Sequence, residues 1–176
     1  MRRSFGIWGL WGVAVVSVLG TVLHFLYEWV DGWLAVLVAP FSGVNESTWE
    51  HMKLFFFPAL LFGVFEWFFF KDIRCFWCIK LRGILLGLTL IPIIFYTYNG
   101  VIGKSPDWVN ITIFFVAVII AFIYETRLFR NNKSGYEYSK FCFFLLLIIG
   151  VLFIIFTFYA PKLDIFKDPI TGSYGI

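Results

Sequence analysis

The chain has 176 residues, of which 61% are hydrophobic and only 14% charged, with a net charge of +3. Its mean hydropathy is +0.88, and no soluble domain of this size could bury so much apolar surface. The positive residues are dispersed rather than clustered, which excludes a nucleic-acid-binding surface.

Apolar runs of roughly 20 residues with few charges recur along the chain, the signature of membrane-spanning helices. The expected fold is therefore all-α: a polytopic membrane bundle of about five transmembrane helices and one short re-entrant or interfacial segment. It forms a single integral membrane domain over 1–176, of which 160–176 is an extracytoplasmic tail. The first span, near Phe5–Tyr27, follows Arg2 and Arg3. Its apolar core is long and no convincing A-x-A-like cleavage site precedes His24, so it reads as an uncleaved span. Trp33–Val44 is too short to cross a hydrocarbon core about 30 Å thick; Trp29 and Trp33 anchor it at the interface and it ends near Pro40. The second span, Met52–Phe70, contains Pro58, expected to kink it, and Glu66, expected to pair with Arg74 or Arg82. The third, Phe76–Tyr98, carries Gly83-x-x-x-Gly87, a helix-contact motif read as packing inside the bundle. Ser105-Pro106-Asp107 looks like a turn before the fourth span, Val109–Tyr124, which Asn110 opens. The fifth span is Phe141–Tyr159. The tail after it is rich in turn residues and is expected to fold over the mouth of the bundle as a lid.

Basic residues orient the chain. With the N-terminus in the cytoplasm, ten of them fall on the inner side: Arg2, Arg3, Lys71, Arg74, Lys80, Arg82, Arg127, Arg130, Lys133 and Lys140. Four remain outside: Lys53, Lys104, Lys162 and Lys167. This asymmetry puts the protein in the cell membrane with its N-terminus cytoplasmic and its C-terminus extracytoplasmic. Trp108, Tyr96, Tyr98 and Tyr159 fit an aromatic belt at one membrane face.

Cys75-Phe76-Trp77-Cys78 is a C-x-x-C motif. The topology puts it and Cys142 at the cytoplasmic face, where thiols stay reduced. No fourth Cys or nearby His completes a structural zinc site, so these residues read as small apolar packing groups.

Acids gather on the outer side, and ionisable side chains at membrane depth point to function. His24 and Glu28 are four residues apart, on one helix face. Ser17, Gly20 and Thr21 extend that face as a small, polar stripe that lets a neighbouring helix approach. Asn45-Glu46-Ser47-Thr48-Trp49-Glu50-His51 stands at the head of the second span. The first two spans are antiparallel, so His24 and Glu28 lie at the depth of Glu46, Glu50 and His51. If they pack together, these five residues are candidate ligands for a divalent metal such as zinc, manganese or iron. The same groups suit a proton relay. A structural role competes: Ser47-x-x-Glu50 is a capping box, and Glu50 near a helix N-terminus is favoured by the helix dipole.

Four blocks occur in order: His24-Phe-x-Tyr27-Glu28-Trp29; Asn45-Glu46-Ser47-x-Trp49-Glu50-His51-x-Lys53; Tyr96-Thr97-Tyr98-x-Gly100-x-x-Gly103; and Asp168-Pro169-x-Thr171-Gly172-x-Tyr174-Gly175. On these the chain resembles, over nearly its whole length, a family of small bacterial multi-pass membrane proteins known only as a domain of unknown function. That resemblance implies membership and no activity. Ser47-x-x-x-His51 is also similar to the Ser-x-x-x-His element of the alkaline ceramidase and adiponectin-receptor superfamily of intramembrane zinc hydrolases. That likeness implies His51 as a zinc ligand and Ser47 as a helper near the bound water. The chain departs from it in having five spans rather than seven and in lacking a late His-x-x-x-His pair.

The expected function is an integral membrane protein with an outer-face His/Glu site that binds a divalent metal or a proton, in transport, sensing or as an accessory subunit. The alternative is a metal-dependent intramembrane hydrolase of lipid or peptide amides, with Glu46 or Glu50 as general base and Ser47 assisting. The expected partners are the lipid bilayer and either a second copy of the chain or a larger membrane complex.

Overall fold

The structure, a computed structural model, describes residues 2–73, 75–131 and 139–176, with side chains from residue 5 onward. Among the described residues the order is α1 (Arg2–Leu26), α2 (Trp33–Val38), α3 (Thr48–Phe70), α4 (Phe76–Val101), α5 (Asp107–Asn131) and α6 (Ser139–Phe158), then a single 3-10 turn, Asp164–Phe166. No strand is found among them; Lys167 and Tyr174 form an isolated antiparallel bridge. The five long helices are each long and apolar enough to cross a membrane. At 1.5 Å per residue, the shortest, α6 with 20 residues, reaches about 30 Å. The protein is thus an all-α, multi-pass membrane bundle.

Helix ends differ from the hydropathy edges for local reasons. α3 starts at Thr48, four residues before the apolar run, because Ser47 caps it: its side chain accepts from the Glu50 N–H at 3.4 Å. α5 continues past Tyr124 to Asn131, because an amphipathic end bearing Arg127 and Arg130 stays helical beyond an apolar window. α2 is only six residues long and has no buried residue. Trp33, Leu34, Val36 and Leu37 are all exposed, as suits a short helix lying at the membrane interface.

α3 and α4 are the most buried spans, and α1 is peripheral. α1 packs on α3 and α5, while α4 packs on α3, α5 and α6. Lipid removes most of the hydrophobic drive between helices, so close approach at small residues matters. Gly87 seats the Phe55 ring: a Cβ there would come 2.4 Å from Phe55 Cε1. Gly83 faces Glu125 of α5, so the Gly83-x-x-x-Gly87 motif packs inside the bundle. Gly12 seats the Phe122 ring in the same way, and Gly20 lies against the Leu54 carbonyl. That carbonyl is the one left without a helical partner by Pro58, which has no N–H.

Cysteine chemistry departs from the sequence expectation. Cys78 and Cys142 form a disulfide between α4 and α6, with Cα atoms 5.1 Å apart. Both helices start at the same end of the bundle, which brings residues 64 positions apart together. Cys75 is buried and outside this bond.

Candidate functional site

Two loops assemble the site at the end of the bundle where α1 finishes and α3 begins. The segment after α2 is stitched to the last turn of α1. Ser42 Oγ donates a short hydrogen bond to the Leu23 carbonyl and accepts from the Tyr27 N–H at 2.9 Å. The Gly43 N–H donates to the same Leu23 carbonyl at 3.2 Å. These bonds deliver Asn45 and Glu46 beside His24. Asn45 Oδ1 accepts from the Ser47 N–H at 2.9 Å, so the Ser47–Glu50 capping box closes on one side only.

Glu46 stands between two imidazoles. Its Oε1 lies 3.7 Å from His24 Nε2 and its Oε2 lies 3.6 Å from His51 Nε2. The two rings are 5.5 Å apart, centroid to centroid. His51 Nδ1 is 2.9 Å from the Ser47 carbonyl, one turn back in α3. A carbonyl only accepts, so Nδ1 carries the proton and donates. In the neutral ring Nε2 then presents a lone pair to a carboxylate oxygen, which also presents lone pairs. Both gaps exceed hydrogen-bond length.

Cavities surround this trio. One of about 20 Å³, bounded in part by Glu46, Thr48, His51 and Asn110, has room for one water-sized occupant. A second, about 310 Å³, opens beside His24 and Glu46; Glu28 and Asp168 join Glu46 in its wall, and among the described residues no Lys or Arg lines it. A third, about 170 Å³, reaches both imidazoles from between α1 and α5, past Thr21 and Phe114.

The other candidate ligands are placed differently. Glu28 lies in the turn after α1, exposed, and meets the trio only across the acidic vestibule. Glu50 is buried and turned inward: it accepts from the Val44 N–H at 3.1 Å and lies 2.5 Å from Lys53 Nζ. Ser47 is buried as well, with its hydroxyl used as the helix cap and its carbonyl used to orient His51. Among the described residues, no three His, Cys, Asp or Glu groups are already drawn to metal-coordinating spacing.

The sequence analysis counted Lys53 and Lys80 among the bases of the two membrane faces, and the structure instead places both inside the bundle, on α3 and α4. Each is fully buried. Besides Glu50, Lys53 donates to the Ala39 carbonyl at 2.8 Å and to Thr157 Oγ1 at 2.9 Å. Lys80 donates to Glu66 Oε2 at 3.0 Å and to Glu125 Oε1 at 2.6 Å. The expected partner Arg82 is exposed, because Lys80, two residues earlier, occupies the inward face; Arg74 lies outside the described residues. The unpaired Glu66 in an apolar run was the signal that a base had to follow within reach. Asn110 at the trio carried a weaker one, a polar residue opening a span.

The tail folds over this end. Phe166 packs its ring on Trp49 at 4.6 Å and on Phe156 at 5.4 Å. The Gly175 carbonyl accepts from Asn45 Nδ2 at 3.2 Å, and the Ile176 N–H donates to the Thr157 carbonyl at 3.2 Å. Gly172, with φ 74°, makes the reverse turn that lets Ser173 accept from the Asp168 N–H.

No curated protein and no solved structure matches the chain. A family profile, described as a family of unknown function, matches residues 2–176. The chain therefore belongs to the DUF6512 family over nearly its whole length.

Proposed function

We propose that this protein binds a divalent cation between His24, Glu46 and His51 at the extracytoplasmic mouth of the bundle, and acts in transport or sensing of that ion. The observation that carries the reading is the pair of facing acceptors, His51 Nε2 and Glu46 Oε2, at 3.6 Å. Two ligands sharing a tetrahedral zinc at about 2.0–2.1 Å stand roughly 3.3 Å apart, so a small inward movement of both gaps would close the set. The hydrogen bond from His51 Nδ1 to a backbone carbonyl is the usual support of a metal-bound imidazole. Two nitrogens and one carboxylate suit zinc, manganese or iron. The acid-lined vestibule favours entry of cations and disfavours anions.

Elemental analysis of protein purified without chelator tests this. The expected result is bound metal in the wild type that is lost in His24→Ala and His51→Ala. A metal-free wild type that also fails to take up added zinc, manganese or iron would overturn it. A proton is the second occupant the same gap accepts, since a protonated His51 would face Glu46 as an ion pair; proton flux in liposomes without metal would favour it. A hydrolase on this site would need Glu46 both as ligand and as general base, because Glu50 is held by Lys53; binding is therefore the favoured reading.

The proposed orientation keeps the trio outside; it rests on the basic residues and runs against the Cys78–Cys142 disulfide, which it puts on the side where thiols are usually reduced. With Lys53 and Lys80 removed from the count of loop bases, the basic residues still divide nine to three in favour of a cytoplasmic N-terminus. A single cysteine at Ser173, in a chain otherwise stripped of accessible thiols, is expected to react with an impermeant reagent added outside; one at Asp72 is expected to be protected. The reverse pattern would invert the assignment.

A further inference from the structure

The second buried cluster lies at the opposite end of the bundle from the trio. Glu66 comes from α3, Lys80 from α4 and Glu125 from α5. Their side chains are 4%, 0% and 6% exposed. Two acids thus share one base. With all three ionised the cluster carries a net charge of −1 in an apolar interior, where an uncompensated charge is expensive.

Among the described residues, no second base is ion-paired with it. Lys80 Nζ sits over the rings of Phe62 and Phe122, at 5.4 and 5.2 Å from their centroids. α1 faces this level with Trp8 on Phe62, Gly9 on Thr126 and Gly12 on Phe122. α6 contributes Phe143, against Trp77. Among the described residues, Glu66 and Glu125 are ion-paired only with Lys80. Two glycines make the room: a Cβ at Gly63 would come 2.8 Å from Lys80 Cε, and one at Gly83 would come 2.7 Å from Glu125 Oε2. These glycines leave room for the Lys80 stem and the Glu125 carboxylate beside Glu66.

We infer that Glu66, Lys80 and Glu125 form a proton-binding site in which the two carboxyl groups hold one proton between them, beside the Lys80 ammonium. The proton belongs to the pair rather than to either residue. With it in place the cluster is neutral overall. On release one carboxyl O–H bond breaks, the proton passes to water, and two carboxylates remain on one ammonium. The path is short: Glu66 is four residues from the end of α3 and Lys80 four from the start of α4, about 6 Å of helix in each case. The site stands apart from the His24–Glu46–His51 reading and would hold whether or not that trio takes a metal.

Infrared spectroscopy of the full-length protein in lipid nanodiscs tests this. At neutral pH the wild type is expected to show the carbonyl stretch of one protonated carboxylic acid per chain, distinct from the carboxylate bands and shifted in heavy water. The band is expected to vanish in both Glu66→Gln and Glu125→Gln, because the remaining carboxylate then pairs one-to-one with Lys80. Absence of the band in folded wild type would overturn the proposal without reference to any variant. Persistence of the band in either Gln variant would also overturn it, by assigning the proton to another carboxyl.

Discussion

Lys53 Nζ donates to the Ala39 carbonyl at 2.8 Å, from a helix interior to a loop fourteen residues earlier in the chain. The same ammonium holds Glu50 and the Thr157 hydroxyl. A single buried base therefore ties the segment after α2, the start of α3 and the end of α6, and so fixes the platform from which His24, Glu46 and His51 project.

Removing that base should be costly in a specific way. Lys53→Met leaves Glu50 buried without its counter-charge, and the expected loss of stability is about 3–5 kcal/mol. Adding Glu50→Gln should recover a large part of it, since the stranded charge is then gone. Thermal unfolding of the purified variants in one detergent checks both; a double variant no better than the single would show that packing of the lysine stem matters more than its charge.

Ligand assignment predicts a contrast between two glutamates four residues apart. Glu46→Gln is expected to weaken zinc binding by at least the 10–100-fold typical of disturbing a metal ligand's supporting partner. Glu50→Gln is expected to leave affinity nearly unchanged, because its carboxylate faces Lys53. Titration calorimetry with zinc measures both, and equal losses would return Glu50 to the ligand set.

Glycine contacts give opposite signs within α4. Gly87→Ala would drive a methyl into the Phe55 ring and should cost roughly 1–3 kcal/mol, the usual penalty of overpacking. Gly100→Ala meets nothing within 4 Å and should raise stability by about 0.5–1 kcal/mol through helix propensity. Melting temperatures of the two variants should move in opposite directions.

The tail should detach when its anchor is cut. Phe166 is the buried residue of the final turn, and Phe166→Ala forfeits about 3–5 kcal/mol of core contact. Limited trypsin digestion is expected to cleave at Lys162 and Lys167 much faster in the variant, with the five spans intact. An unchanged rate would show that the Asn45–Gly175 and Thr157–Ile176 bonds hold the tail alone.

The spans were readable because their signal is hydropathy, which needs no partner. His24 and His51 were readable as neighbours because antiparallel helices of similar length equate their depths. The pairing of Glu50 with Lys53 was not legible, because capping and convergence with His51 are local rules that ignore a base three residues on. Lys53 and Lys80 were hidden by the habit of assigning every lysine near a span edge to a loop; nothing local marks a lysine whose acid comes from another helix. The Cys78–Cys142 bond depends on the parallel start of α4 and α6, a relation that exists only once the bundle is assembled. The C-x-x-C motif holds only Cys75 and Cys78, which read as packing groups, and says nothing of Cys142.

Thr157 serves two masters. Its hydroxyl receives Lys53 and its carbonyl receives the amide of Ile176. A pull on the final residue would thus reach the anchoring ammonium of the third helix through one side chain, so whatever grips or lifts the tail from outside has a direct mechanical line to the floor beneath the two histidines.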